Sequence, residues 1–258
     1  MKTIYIFICL ALAIIPMGFM SGSQSPQKEI KKSIALGNAK ELKTEISFTA
    51  GELNINSSTD HLADGTYRFY IDKWKPEITY REETQTGYLK IRTIDERKSR
   101  NYDNEDNCEW NISLNKKVLN DLTVKMIAGK GHIDLHDCNL KRFDFTMAAG
   151  EIDINLKNTS VPDLKFEAAV GSGVIDLSGK WNNDLNASMK GGVGELTLKL
   201  PSHTGIKLNI HGGLGETNAP GLKKQNGTYT NALFGKTKES LYIDFSGGIG
   251  NVNVQLVD

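Results

Sequence analysis

The segments LTVKMIAGKGHIDL (122–135), FDFTMAAGEIDINL (143–156) and LKFEAAVGSGVIDL (164–177) start 21 residues apart and read in register when set beneath one another. LNASMKGGVGELTL (185–198) and IKLNIHGGLGETNA (206–219) keep the spacing. A sixth copy, LYIDFSGGIGNVNV (241–254), follows 35 residues after the fifth, one period plus a 14-residue insertion. Spacing kept over six copies marks a repeat architecture in which one small unit is stacked many times.

Each copy alternates apolar and polar residues with period two, the pattern of a half-buried strand. The first strand turns Leu122, Val124 and Met126 to one side, then Phe143, Phe145 and Met147, then Leu164, Phe166 and Ala168. The second strand does the same with Ile133 and Leu135, with Ile152, Ile154 and Leu156, and with Ile175 and Leu177. A slip of one residue would expose every apolar side chain. Between the strands stand Gly129, Gly150, Gly171, Gly192, Gly213 and Gly248, predicted to be the structural turn glycines because a sharp bend favours a residue free of a Cβ clash at positive φ. One such rung cannot offset the entropy of ordering its own chain, so neighbouring rungs must complete its core. The predicted fold is all-β: a parallel β-solenoid of 21-residue, two-strand rungs, its two sheets packed face to face.

The N-terminal third is less regular. TEISFTAGELNINS (44–57) fits the template, and TGYLKIRT (86–93) and NCEWNISL (107–114) fit its second strand. TIDERKSRNYDNED (93–106) reads as a polar loop, and 59–85 breaks the period, as an irregular cap would. Lys2 followed by the apolar run IYIFICLALAII (4–15) and the small residues Ser21, Gly22 and Ser23 reads as a signal peptide. The expected organisation is a signal peptide over 1–23, N-terminal strands and cap over 24–85, and the repeat solenoid over 86–258, interrupted by an insertion at about 219–240. An export signal with no later membrane span places the mature chain in the periplasm, at the cell surface or outside the cell.

EWNISLNKKVLNDLTVKMIAGKGHIDL (109–135), followed by AAGEIDINL and GSGVIDL, resembles the toast-rack family of bacterial envelope proteins. That family includes adhesin-like secreted proteins and the C-terminal part of LiaF-type regulators of the cell-wall antibiotic response. The resemblance runs from about Gly87 to Asp258 and implies a glycine-punctuated β-solenoid with no catalytic residues. The chain departs from LiaF-type proteins in its export signal and its lack of a membrane bundle.

The chemistry the chain could carry is limited. With 31 basic and 31 acidic residues there is no bulk field for nucleic acid or an anionic membrane. His132, Asp134 and His136 alternate on one strand face with usable metal-ligand spacing, and Asp134, Asn155 and Asp176 form an acidic ladder, but solvated strand faces explain both. The glycine runs precede strands rather than helices, which excludes a phosphate-binding loop. No nucleophile motif is present, and a glycosidase would need a close carboxylate pair, for which Asp153 and Glu195 are the candidates. Cys108 takes the glycine slot of its rung and Cys138 lies past a second strand, roughly 30 Å away at strand rise, so no disulfide is expected. The sequence therefore points to an exported, non-catalytic scaffold or binding module without a cofactor or metal, contacting an envelope protein or a glycan. The alternatives are an accessory factor in envelope-stress signalling and a polysaccharide-active enzyme. The expected ligand surface contains Tyr67 and Trp74 of the N-terminal region and Tyr229 and Phe234 of the insertion. An exposed solenoid end could also dock onto another copy.

Overall fold

The structure, a computed structural model, describes residues 27–93 and 108–258; the expected signal peptide and residues 94–106 of the expected polar loop lie outside them. In chain order the strands are β1 (Lys28–Ile34), β2 (Glu41–Phe48), β3 (Glu52–Asn56), β4 (Ala63–Phe69), β5 (Pro76–Glu83), β6 (Thr86–Thr93), β7 (Glu109–Leu114) and β8 (Leu119–Asp134). They continue as β9 (Leu140–Asn155), β10 (Asp163–Asp176), β11 (Leu185–Pro201), β12 (Gly205–His211), β13 (Thr217–Asn218), β14 (Lys223–Gln225), β15 (Thr228–Thr230), β16 (Ser240–Ser246) and β17 (Ile249–Val257). A single 3-10 turn, Asp72–Trp74, is the only helical element among the described residues, and no helix there is long and apolar enough to cross a membrane.

The strands β8 to β11 are 14–17 residues long because each runs straight through its bend. The first half of each belongs to one sheet and the second half to another, and the apolar alternation of both halves faces the wedge between them. The first sheet runs β5-β6-β2-β8-β9-β10-β11-β16-β12-β15-β14. The second runs β1-β4-β7-β3-β8-β9-β10-β11-β17-β13. The interior pairings are parallel; antiparallel strands flank them at both ends of the first sheet and at the β1-β4 end of the second, whose other end, β13, is parallel. The outer strand β1 carries four charged residues, Lys28, Glu29, Lys31 and Lys32, a composition that discourages edge-to-edge pairing.

The inward set read from the alternation is the core. Phe143 and Phe145 are fully buried, and Phe145 stacks on Phe166 at 5.6 Å and 12°. At the N-terminal end Trp110 meets Phe48 and Tyr67 edge-on at 5.0 and 5.5 Å.

Three details differ from the sequence reading. First, the rungs do not stack in chain order: β2–β3 lie between β6–β7 and β8, and the last rung of the chain, β16–β17, lies between β11 and β12–β13. All rungs share one polarity pattern, so the pattern fixes which face is buried but not which rung is the neighbour. Second, the register is 21 residues from β8 to β10 (Gly129↔Gly150↔Gly171) but 23 from β10 to β11, where Gly171 meets Gly194 and Leu164 meets Ala187. A shift of two residues preserves every side-chain face, so alternation is blind to it. In the last three rungs of the stack the glycines at φ near +150 that continue the ladder are accordingly Gly194, Gly250 and Gly215. Gly212 and Gly213 also have positive φ, while the expected turn glycines Gly192 and Gly248 do not, Gly192 lying two residues earlier against the carbonyl of Ala169. Third, TGYLKIRT forms β6 in the first sheet, not a second-strand segment, and Gly87 pairs beside Leu42 away from the bend.

Cys108 ends the glycine ladder: the carbonyl of Cys108 accepts from the amide of Glu52 at 2.8 Å. Cys138 packs separately beside Asn120, and both thiols are free and buried. Burial pushes each up to about 12, a hydrogen bond to Trp110 or Asn120 opposing it only in part. Since the thiolate is the reactive form, neither should be alkylated by iodoacetamide at pH 8 in the native protein, and both should be after unfolding in urea. Rapid native alkylation, read by mass spectrometry, would contradict this packing.

Candidate functional site

At the bend the alternation changes phase. Inward positions run Leu164, Phe166, Ala168 before it and Ile175, Leu177 after it, so the residue just ahead of the bend glycine drops out of both sets. Val170, which continued alternation would turn inward, is instead 51% exposed on the outer apex. The neighbouring rungs repeat this, and the apex row runs Ala128, Ala149, Val170, Val193, Ile249, Leu214 across hydrogen-bonded neighbours. Side-chain size grows along the row. Val193, Ile249 and Leu214 are 50, 57 and 75% exposed, and each stands between two glycines, which offer no side chain to cover it. Of the seven large hydrophobics exposed among the described residues, five, Ile127 included, fall on this bend, so the apolar exposure is concentrated rather than scattered. At about 4.8 Å per strand the four largest residues make a crest about 15 Å long.

A cavity of about 70 Å³ opens behind the crest, toward the C-terminal end of the stack. Ile152, Phe166, Leu196, Ile210 and Phe245 line it together with bend glycines. The space exists because side chains are missing: a Cβ on Gly191 or Gly247 would stand 3.0 or 2.9 Å from the ring of Phe245. Ala168 and Ile210, inward positions that are only half-buried, border the same opening. On the second-sheet side the rim carries Glu195 and Glu216. Glu195 accepts from Asn253 Nδ2 at 2.6 Å, and no cation lies within ion-pair distance of either carboxylate among the described residues. On the first-sheet side Lys190 is taken up by Glu167 at 3.0 Å, and together with Lys165 it holds that carboxyl below its ordinary range.

The residues singled out from sequence fall elsewhere. Tyr67, Trp74 and Tyr229 are buried, at 2, 1 and 7% exposure, so the first two rings pack the N-terminal core and the third sits beneath Lys224. Phe234 is half-buried and meets the ring of Tyr242 edge-on at 6.0 Å. Tyr242 itself is 37% exposed beside Asn186 on the outer face of the first sheet. His132 faces Asp153 at 3.6 Å and His136 faces Asp134 at 2.7 Å, as two separate pairs. Burial raises the Asp134 carboxyl, but hydrogen bonds from the His136 ring and backbone outweigh it, and the net shift is downward. Asn155 donates to Asp134 at 2.9 Å, so the acidic ladder is interrupted by an amide. Among the described residues no three His, Cys, Asp or Glu side chains converge as a metal site would require. Asp153 and Glu195 lie on β9 and β11 with β10 between them and two residues out of register, so that their Cα atoms are roughly 12 Å apart at strand spacings. The crest had a signal in the sequence: GGVGE, GGIGN and GGLGE repeat one aliphatic residue between glycines.

The chain matches the family described as the N-terminal domain of toast_rack, DUF2154, over residues 22–163 and 143–199. Among solved structures it is similar to a candidate cell adhesion protein from Clostridium sporogenes, 29% identical with a TM-score of 0.71, over 90% of this chain and 100% of that one. It is also similar to a candidate adhesin from Bacteroides fragilis, 15% identical with a TM-score of 0.32, over 90% of this chain and 100% of that one. No curated protein matches it. The family match covers well over half of the chain, its relative from Clostridium sporogenes shares the fold along nearly the whole length, and the chain therefore belongs to the toast_rack family.

Proposed function

We propose that this chain is an exported, non-catalytic binding module of the bacterial cell envelope, which holds a protein partner against the crest at its glycine bend. The module is a solenoid of two-strand rungs of about 21 residues closed by irregular N-terminal strands. The observation that carries the proposal is the ordered row Val170, Val193, Ile249 and Leu214, exposed on a stack whose hydrogen bonds fix their spacing. Contiguous exposed apolar side chains on a soluble domain mark an interaction surface. The apolar run 4–15 supports export, and the name of the Clostridium sporogenes relative supports adhesion rather than catalysis.

The test is binding of the labelled, exported protein to intact bacterial envelopes. The triple variant Val193→Ser, Ile249→Ser, Leu214→Ser should keep its unfolding midpoint, since exposed substitutions change stability by about 0.5 kcal/mol or less each. Its envelope binding should fall at least tenfold. Undiminished binding by this variant overturns the crest as the contact surface.

A glycan partner is the second reading, supported by the exposed ring of Tyr242 braced by Phe234 beside Asn186. It makes the opposite forecast: binding lost on Tyr242→Ala and kept in the triple crest variant.

A further inference from the structure

We propose that the crest and the cavity behind it together bind an extended protein segment that presents one large apolar side chain flanked by a basic residue. This rests on the reading of the chain as a binding module and names the chemistry of its partner. The apolar side chain enters the space bounded by Phe166, Leu196, Ile210 and Phe245, and the basic residue lies against Glu195 and Glu216.

Size selects the first half of this description. A single water needs roughly 10–15 Å³ of such volume. The cavity, about 70 Å³, therefore takes on the order of five heavy atoms, one Leu, Ile or Met side chain rather than an acyl chain. Charge selects the second half. Glu195 and Glu216 border the opening without a cation, whereas Lys190 is neutralised by Glu167. Two unneutralised carboxylates repel an anionic headgroup and attract Lys or Arg across a contact. Area decides against a second copy as a stable dimer. Four crest side chains offer roughly 400 Å², about half of the 800 Å² per partner that a standard interface buries. A short segment anchored by one pocketed side chain does not need that area.

The test uses the full exported protein labelled with ¹⁵N and the peptide Gly-Ser-Lys-Gly-Leu-Gly-Lys-Ser-Gly, with Leu→Ala and Lys→Gln versions as controls. The amide signals of Gly191, Gly192, Gly194, Gly247, Gly248 and Gly250 should shift saturably with the parent peptide. The Leu→Ala peptide should produce no shift. The Lys→Gln peptide, and the protein variant Glu195→Gln with Glu216→Gln, should each weaken binding at least fivefold. Any of three results overturns the proposal: shifts confined to the face around Tyr242, glycine shifts with decanoate but none with the peptides, or the same shifts on concentrating the protein alone. Envelope binding separates this failure from the broader one. If the double Gln variant binds envelopes as tightly as the native protein while the triple crest variant does not, the basic-residue contact is wrong and the binding module stands.

Discussion

Replacing Gly194 with alanine is expected to destabilise the protein by more than about 4 kcal/mol or to prevent it from folding, a loss few single substitutions reach. Gly194 sits at φ +144, and a Cβ there would stand 1.6 Å from the carbonyl oxygen of Gly171 on the neighbouring rung. That oxygen belongs to backbone fixed by the parallel ladders on both sides, so no flexible side chain can give way. Relief would require parting two rungs at the bend, and every rung beyond would shift with them. Gly235→Ala supplies the comparison. Its φ is +74 and nothing lies within 4 Å of a Cβ, so only the intrinsic left-handed penalty remains, about 1–2 kcal/mol. Urea unfolding of both variants separates the two contributions. Equal losses would show that contact between the stacked glycines contributes nothing.

Stopping the chain after residue 239 should have the other large effect. It removes β16 and β17, which are not the outer rung but the one between β11 and β12–β13. Leu241, Ile243, Phe245, Val252 and Val254 leave the core, and β12 loses its parallel partner from Gly205↔Ser240 to His211↔Ser246. Hydrogen exchange should then show the amides of Lys207, Asn209 and His211, which alternation turns toward β16, losing protection, while those of Ile206 and Ile210 keep their bonds to Asn231 and Gly227 and those of β8 and β9 keep intact neighbours. In a solenoid stacked in chain order, 205–211 would pair with 185–190 and stay protected. Retained protection at Lys207, Asn209 and His211 would therefore show that the terminal rungs are not interleaved.

How far the fold was legible depends on which property of the side chains encodes it. The buried faces of Phe143, Phe145 and Phe166 follow from alternation, because a strand offers only two faces and water decides between them. The 23-residue step at Gly194 was not legible that way, since a two-residue slip leaves each side chain on its own face. It was legible only from the glycines, had the first glycine of GSG, Gly171, been set against the second of GVG, Gly194. The candidate site was legible in composition but not in role. Aromatic residues such as Tyr67 and Trp74 looked available for a ligand because they lie in irregular segments, yet those segments close the core and need large rings to fill it. Val193, Ile249 and Leu214 fall in neither inward set of the alternation, and their exposure depends on the phase change at the bend.

The amino-acid sequence by itself determined the unit: a two-strand rung with one greasy face, bent at glycine, unable to stand alone. These properties are local, written in polarity at a spacing of two and in the absence of a Cβ. Only the tertiary structure decided which rung lies against which, where the register steps from 21 to 23, and that an aliphatic crest emerges beside an apolar cavity. Those outcomes arise between rungs that are interchangeable in polarity, so they are settled by the packing of particular side chains and by the contact of stacked glycine backbones, neither of which any one rung contains.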